Sequence, residues 1–199
     1  MSQDLQYWKK LKENNDASAI KYFYDQYIKL LYKYGYHFCQ DASLVEDCVQ
    51  DLFLRIWEKR SSLGDTDNVK LYLMVSLKRS IYEKVKKNSK TTVTEEVPED
   101  TFDVTFTMEE QIISSETDQI TKDKLLECLE TLSGRQKEVI YLRFYNGFSP
   151  EEVSEIMQIS NQSVRNVQAS ALKKMRNNMD DPLLLLVVGK LIESFFNEI

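Results

Sequence analysis

The sequence predicts an all-α protein of two small helical domains, and three observations carry that prediction. Breakers are scarce. Five Gly and three Pro among 199 residues are about 4%, against roughly 12% in average usage, too few for a sheet-rich domain with many tight turns. The composition, 42% hydrophobic and 29% charged, is enough to bury a core and is not that of a disordered chain. Helix start signals follow one another in order, with a single long interruption after Lys90. The length suits two domains of under about a hundred residues each.

The elements of the first half are justified in turn. A short amphipathic helix around Leu5, Trp8 and Leu11 ends at Asn14-Asn15. Asp16 can cap a second helix from about Ala17 to Gln40, rich in Tyr and Phe. Those aromatic residues read as core packing, and the lone His37 beside Phe38 as packed or surface rather than catalytic. Ser43, with Glu46 three residues on, has capping-box spacing and starts a third helix to about Arg60. Its buried face is Val45, Cys48, Val49, Leu52, Phe53, Ile56 and Trp57; its polar face carries Asp47, Gln50, Asp51 and Glu58 around Leu54. An apolar residue ringed by polar ones suits a partner contact, although single exposed leucines are common. Ser61 to Asn68 is a loop by composition, and a fourth helix runs from about Val69 to Lys87.

From Thr91 to Thr121 there is no Lys or Arg, while nine residues are acidic. Phe102, Val104, Phe106 and Met108 alternate with polar residues, but an isolated strand has nothing to pair with, so 91–117 reads as an extended acidic linker. The second half opens with a helix from roughly Asp118 to Leu132. Ser133 and Gln136 form a capping-box pair before a helix reaching Tyr145, which Asn146-Gly147 stops. Ser149-Pro150-Glu151-Glu152 combines a cap, Pro at the first helical position and Glu at the third, starting a short helix that ends near Met157. After Gln158-Ile159, Ser160 caps a long helix to about Asn178.

A short helix, a tight turn and a longer helix over Phe148 to Arg176 is helix-turn-helix geometry. Val153, Ile156, Met157, Ile159, Val164, Val167 and Leu172 form its apolar seam. The opposite stripe of the second helix reads Asn161, Gln162, Arg165, Asn166 and Ala169. Arg is suited to guanine, and Asn and Gln to adenine, in a major groove. No acid occurs from Ile156 to Met179, while Arg165, Lys173, Lys174 and Arg176 are basic. A positive patch therefore sits inside a chain of net charge −6.

Other classes find little support. Cys39, Cys48 and Cys128 are odd in number, widely spaced and without a CxxC pair, so neither a disulfide framework nor a zinc site is legible, which suits a reducing compartment. No secretion signal is seen, and the run Leu183 to Val188 is far too short to span a bilayer, so a cytoplasmic protein without membrane insertion is expected. No metal, cofactor or catalytic group is expected; there is no glycine-rich phosphate loop and no triad.

Leu129-Glu130-Thr131-Leu132-Ser133 through Arg135-Gln136-Lys137-Glu138-Val139, then Leu142-Arg143-Phe144 and the helix-turn-helix, resembles region 4 of bacterial sigma factors. Phe23-Tyr24-Asp25-Gln26-Tyr27, Val45 to Trp57, and Tyr72-Leu73 leading into Lys78-Arg79 resemble sigma region 2. Two such regions joined only by a linker is the architecture of extracytoplasmic-function (ECF) sigma factors, and the resemblance covers about residues 5–178. It implies a region 2-like domain over 1–90, a linker over 91–117, a region 4-like domain over 118–179 and an apolar tail over 180–199.

The resemblance also implies partners: core RNA polymerase, through its clamp and flap, and promoter DNA. Asp47, Gln50, Asp51, Leu54 and Glu58 would meet the polymerase. Asn68, Tyr72, Lys78, Arg79, Tyr82, Lys86 and Lys87 would bind and open the −10 element; the basic run ordinarily reads as a solvated face. Many relatives carry Asn where Arg79 stands. Ser160, Asn161, Gln162, Ser163, Arg165, Asn166, Lys173 and Lys174 would read the −35 element. The linker would thread into the polymerase cleft, with Phe102, Val104 and Phe106 as anchors. Pro182 begins an apolar tail that would dock on the second half or meet an anti-sigma factor. Two rivals stay open: a dimeric helix-turn-helix regulator with a helical N-terminal sensor domain, and a helical adaptor that binds only proteins.

Overall fold

The structure, a computed structural model, describes residues 2–14, 16–88, 102 and 127–177. The chain divides into two compact units, Met1–Glu95 and Glu96–Ile199. No strand occurs among the described residues. Apart from Phe102 the expected linker lies outside them, as do the tail 180–199 and most of the helix expected from Asp118, which is described only from residue 127.

In the first unit α1 (Gln3–Asn14), α2 (Ala17–Cys39), α3 (Ala42–Glu58) and α4 (Val69–Asn88) pack around one core. The start of α2 is as expected, with Asp16 accepting from the Ser18 N–H at 2.8 Å. The start of α3 is not. Asp41, rather than Ser43, is the cap: its carboxylate accepts from the Leu44 N–H at 3.0 Å, and Ser43 already lies in the helix. Asp and Ser are comparable caps, so two neighbouring candidates compete and the one that starts the helix earlier takes the site. A short 3-10 turn, Arg60–Ser62, follows α3. The loop beyond it is tied to α1 by Trp8, whose indole N–H donates to the Gly64 carbonyl at 3.1 Å. Asp4 accepts from both Tyr22, at 2.8 Å, and Tyr27. Burial, then Asp4, pushes the Tyr22 hydroxyl up to about 12.

Leu11, Phe23, Leu31, Tyr34, Leu52, Met74, Leu77 and Ile81 are buried at the centre, and His37 is buried with them. Gly35 lies near the C-terminal end of α2, where α2, α3 and α4 converge. A Cβ there would stand 2.7 Å from Val45 Cγ1 and 3.0 Å from Ile81 Cδ1. The absence of a side chain sets how closely α2 approaches its neighbours.

In the second unit a helical turn at 127–130 leads into α5 (Gly134–Ile140), which widens into a π-turn at Tyr141–Tyr145 instead of staying α-helical to Tyr145. The Ser133–Gln136 capping box is present. The Asn146 N–H reaches the Tyr141 carbonyl at 3.1 Å, and Gly147 at φ 69° turns the chain so that the Phe148 N–H meets the Leu142 carbonyl at 3.1 Å. α6 (Pro150–Met157) and α7 (Asn161–Asn177) complete the unit. Phe102 is buried here, its ring 5.6 Å from that of Tyr141, which in turn stacks on Tyr145.

The widened turn aims Arg143 inward. It is only 6% exposed, donates through one terminal nitrogen to the Phe148 carbonyl and through Nε to Gln168 Oε1 at 3.3 Å. Gln168 lies on α7 and is fully buried. One guanidinium thus joins the strap before α6 to the helix after it.

Two stability outcomes follow. Helix propensity favours Gly35→Ala by about 1 kcal/mol, but stiff Val45 and the buried Ile81 make overpacking cost about 1–3 kcal/mol. Urea unfolding should therefore show a net loss of about 1 kcal/mol. Arg143→Met keeps the length but strands buried acceptors on Phe148 and Gln168, so a loss on the order of 2–4 kcal/mol is expected in the same assay.

Candidate nucleic-acid and partner surfaces

The helix-turn-helix is built from local signals that agree. Ser149 Oγ accepts from the Glu152 N–H at 3.2 Å while Glu152 accepts from the Ser149 N–H at 2.8 Å, and Pro150 fills the first turn, where no donor is needed. α6 ends at Gln158, which adopts a left-handed φ of 54° and lets the Ile159 N–H return to the Ser154 carbonyl at 3.1 Å. Ser160 Oγ then accepts from the Ser163 N–H at 3.1 Å, starting α7 where the sequence indicates. Val153, Ile156 and Met157 are buried, as are Val164, Ala171, Leu172 and Met175, while Ile159 and Val167 are half-buried.

α7 therefore has one face in the core and one outside. Gln162, Arg165, Asn166 and Ala169 are exposed along a single stripe, and Gln162 donates to Asn166 Oδ1 at 3.0 Å. The helix has no acidic residue, so its outer face is positive whatever the net charge of the chain. Lys173 is exposed. Lys174 instead turns back to the Thr131 carbonyl, and Gln136 Nε2 donates to Ser170 Oγ at 3.1 Å, both tying α7 to the preceding helices. Asn161 is half-buried and donates to Glu151 Oε1 at 2.9 Å. The same oxygen lies 3.8 Å from Arg165. Gln168, Arg143 and Glu138 are buried polar groups that spacing alone did not single out. An Arg inside an otherwise apolar helix stretch was the available signal for one of them.

On the first unit, Asp47, Gln50, Asp51, Leu54 and Glu58 are all exposed on the outer face of α3. Leu54, at 57%, is the most exposed large apolar side chain among the described residues. Asp51 is linked to α4 by Lys84 at 2.7 Å, and Arg55 donates both to the Asp51 carbonyl at 3.2 Å and to Ser80 Oγ at 3.1 Å. The hydrogen bond to Asp51 raises the Lys84 pKa, keeping that ammonium charged.

The residues expected at the −10 element divide by environment. Arg79, Lys86 and Lys87 are exposed, with Arg79 paired to Glu83 at 3.1 Å. Asn68 caps α4, its side chain accepting from the Leu71 N–H at 3.0 Å. Tyr72 packs edge-on to Trp8 at 5.2 Å, Lys78 lies over the Phe38 ring at 5.4 Å, and Tyr82 is half-buried. No helix among the described residues is long and apolar enough to cross a membrane.

Comparison with known proteins agrees with this geometry. The model of Sigma-70 region 2 matches residues 23–91, and that of Sigma-70 region 4 matches residues 128–177. The ECF RNA polymerase sigma factor SigL of Mycobacterium tuberculosis is 21% identical over 83% of this chain and 92% of its own length. The ECF RNA polymerase sigma factor SigX of Bacillus subtilis is 22% identical over 81% of this chain and 84% of its own. In fold, the chain is similar to the sigma factor RpoE of Bartonella quintana, solved in complex with the anti-sigma factor NepR, with a TM-score of 0.54 at 17% identity over 83% of this chain and all of that one. The region 2 match lies where the rival reading requires a sensor domain. With both regions matched in order and ECF relatives aligned along most of its length, the chain belongs to the sigma-70 family, in its extracytoplasmic-function branch.

Proposed function

We propose that this chain binds core RNA polymerase through the outer face of α3 and directs it to promoters whose −35 element is read by α7 and whose −10 element is opened by α4 and the loop before it. The observation that carries the reading is the division of α7: an acid-free outer stripe of Gln162, Arg165 and Asn166 on a helix whose other side is locked in the core. A recognition helix needs both properties, because base edges discriminate only against side chains held in register. The domain limits proposed are 1–90, 91–117, 118–179 and 180–199. The factor itself makes and breaks no bond; the polymerase does the chemistry, in the cytoplasm.

For the polymerase contact, Leu54 stands among Asp47, Gln50, Asp51 and Glu58, an apolar centre within a polar rim. For the −10 element, Arg79, Lys86 and Lys87 supply exposed charge along α4, and Tyr72 and Tyr82 are half-buried on the same helix. An anti-sigma factor is a further proposed partner, on the likeness to the Bartonella complex.

Reconstitution tests the proposal. Purified protein mixed with bacterial core polymerase should co-elute on a sizing column and initiate at discrete sites on genomic fragments. A protein that ignores the polymerase and footprints a palindrome as a dimer would refute it. Leu54→Asp should lower affinity for core polymerase at least about tenfold, the size of a hot-spot loss, with an unchanged melting temperature because the side chain is exposed. Arg165→Ala should weaken selective −35 binding by about 1–3 kcal/mol if the guanidinium is bidentate to guanine. Equal loss on random DNA would show a phosphate contact only.

A further inference from the structure

Glu151 is an acidic residue in contact with the recognition helix, and its position is specific. It lies in the first turn of α6 and reaches across the turn to the start of α7. There Oε1 accepts from Asn161 Nδ2 at 2.9 Å and stands 3.8 Å from an Arg165 nitrogen. Asn161 and Arg165 are one helical turn apart, so a single carboxylate oxygen gathers two of the side chains assigned to base reading. Asn161 is thereby committed inward. Its amide nitrogen is used by Glu151, and its Oδ1 is buried with no hydrogen-bond partner among the described residues.

We propose that Glu151 determines the specificity of the recognition surface: its charge beside Arg165 penalises a contact to phosphate more than a contact to a base edge, and so weakens sequence-independent binding more than selected binding. The proposal rests on the reading of α7 as the −35 reader. Asn161 is then a positioning residue that orients the carboxylate, and Gln162, Arg165 and Asn166 form the reading set.

Three physical points support this. In helix-turn-helix docking the first helix crosses the phosphate backbone, so its N-terminal turn is where a phosphate approaches. A carboxylate in that turn already occupies the favourable field of the helix dipole and repels the phosphate that would otherwise use it. In non-specific binding Arg165 is held mainly to phosphate, close to that same repulsion, whereas in selected binding a guanine edge offers two directed hydrogen bonds deeper in the groove; the loss of the Glu151 contact is common to both. The hydrogen bond from Asn161 is the largest influence lowering the Glu151 pKa, so the charge persists at neutral pH.

The test uses the full chain assembled with core polymerase. Genomic fragments retained by the wild-type holoenzyme define selected duplexes, and scrambled duplexes are the reference. Glu151→Gln keeps the shape and an acceptor for Asn161 while removing the charge. It should raise retention of scrambled duplex about threefold or more and steepen its salt dependence by about one unit of log–log slope. Selected duplex should change less, so the selectivity ratio falls. In an Arg165→Ala background the same substitution should leave the ratio unaltered. An unchanged ratio in the Arg165 background of the natural chain would overturn the proposal. So would a loss confined to selected duplex, which would make Glu151 a base reader accepting from cytosine. A ratio that still falls without Arg165 would also overturn it, since the carboxylate would then act on phosphate alone. If the wild-type holoenzyme selects no fragments, the −35 reading itself fails, and that is seen before any variant is compared.

Discussion

The second unit depends on a buried cation. Taking a guanidinium out of water is costly unless every donor finds an acceptor, and an Arg cannot shed its proton to avoid that cost. Arg143 offsets part of that cost by donating to the carbonyl of Phe148 and the amide oxygen of Gln168, groups that precede α6 and lie on α7. The angle between the two helices of the helix-turn-helix is constrained accordingly, because a shift of either leaves a charged donor unpaired. The π-turn at Tyr141–Tyr145 is the backbone counterpart, since widening the helix rotates Arg143 towards the interior and Tyr141 towards Phe102. Widened turns of this kind are rare and frequently occur at functional sites.

The first unit relies on close approach instead. Gly35 lets three helices meet, and Tyr34, Leu77 and Ile81 fill the space around the contact. Polar groups at the margins then connect what the core holds. Lys84 to Asp51 and Arg55 to Ser80 join α4 to the helix proposed to meet the polymerase. These hydrogen bonds help to hold α3 and α4 in register at the margin of the core. Phe102 shows the same economy in the chain between the units: one buried ring belongs to the second unit although its neighbours in sequence are strongly acidic.

Several side chains expected to meet DNA are also structural. Asn68 caps a helix, Lys78 covers an aromatic ring, Lys174 satisfies the Thr131 carbonyl just after the helical turn at 127–130, and Asn161 is held by a carboxylate. This is a general difficulty in assigning surfaces from residue type. Asn, Lys and Tyr suit nucleic acid for the same reason that they suit helix ends and core margins, namely a polar tip on a body that packs. What separates the two uses is whether a partner within the chain reaches the tip first.

The helices themselves were legible because their signals are local. Capping boxes at Ser133 and Ser149, Pro150, the Asn146-Gly147 stop and the apolar spacing along α3 and α7 act within a few residues, and each behaves as its chemistry dictates. The order of the two regions was legible for the same reason, since motif and spacing are properties of the chain. Local competition misled only at Ser43, where Asp41 caps first. Tertiary structure alone decided the inward course of Arg143, the burial of the polar Gln168 on the otherwise apolar inner face of α7, the closeness of α2 to α3 at Gly35, and the meeting of Glu151 with Asn161 and Arg165. Each depends on the distance between residues from different helices. Sequence spacing specifies which face of a helix a residue occupies; only packing specifies what that face meets.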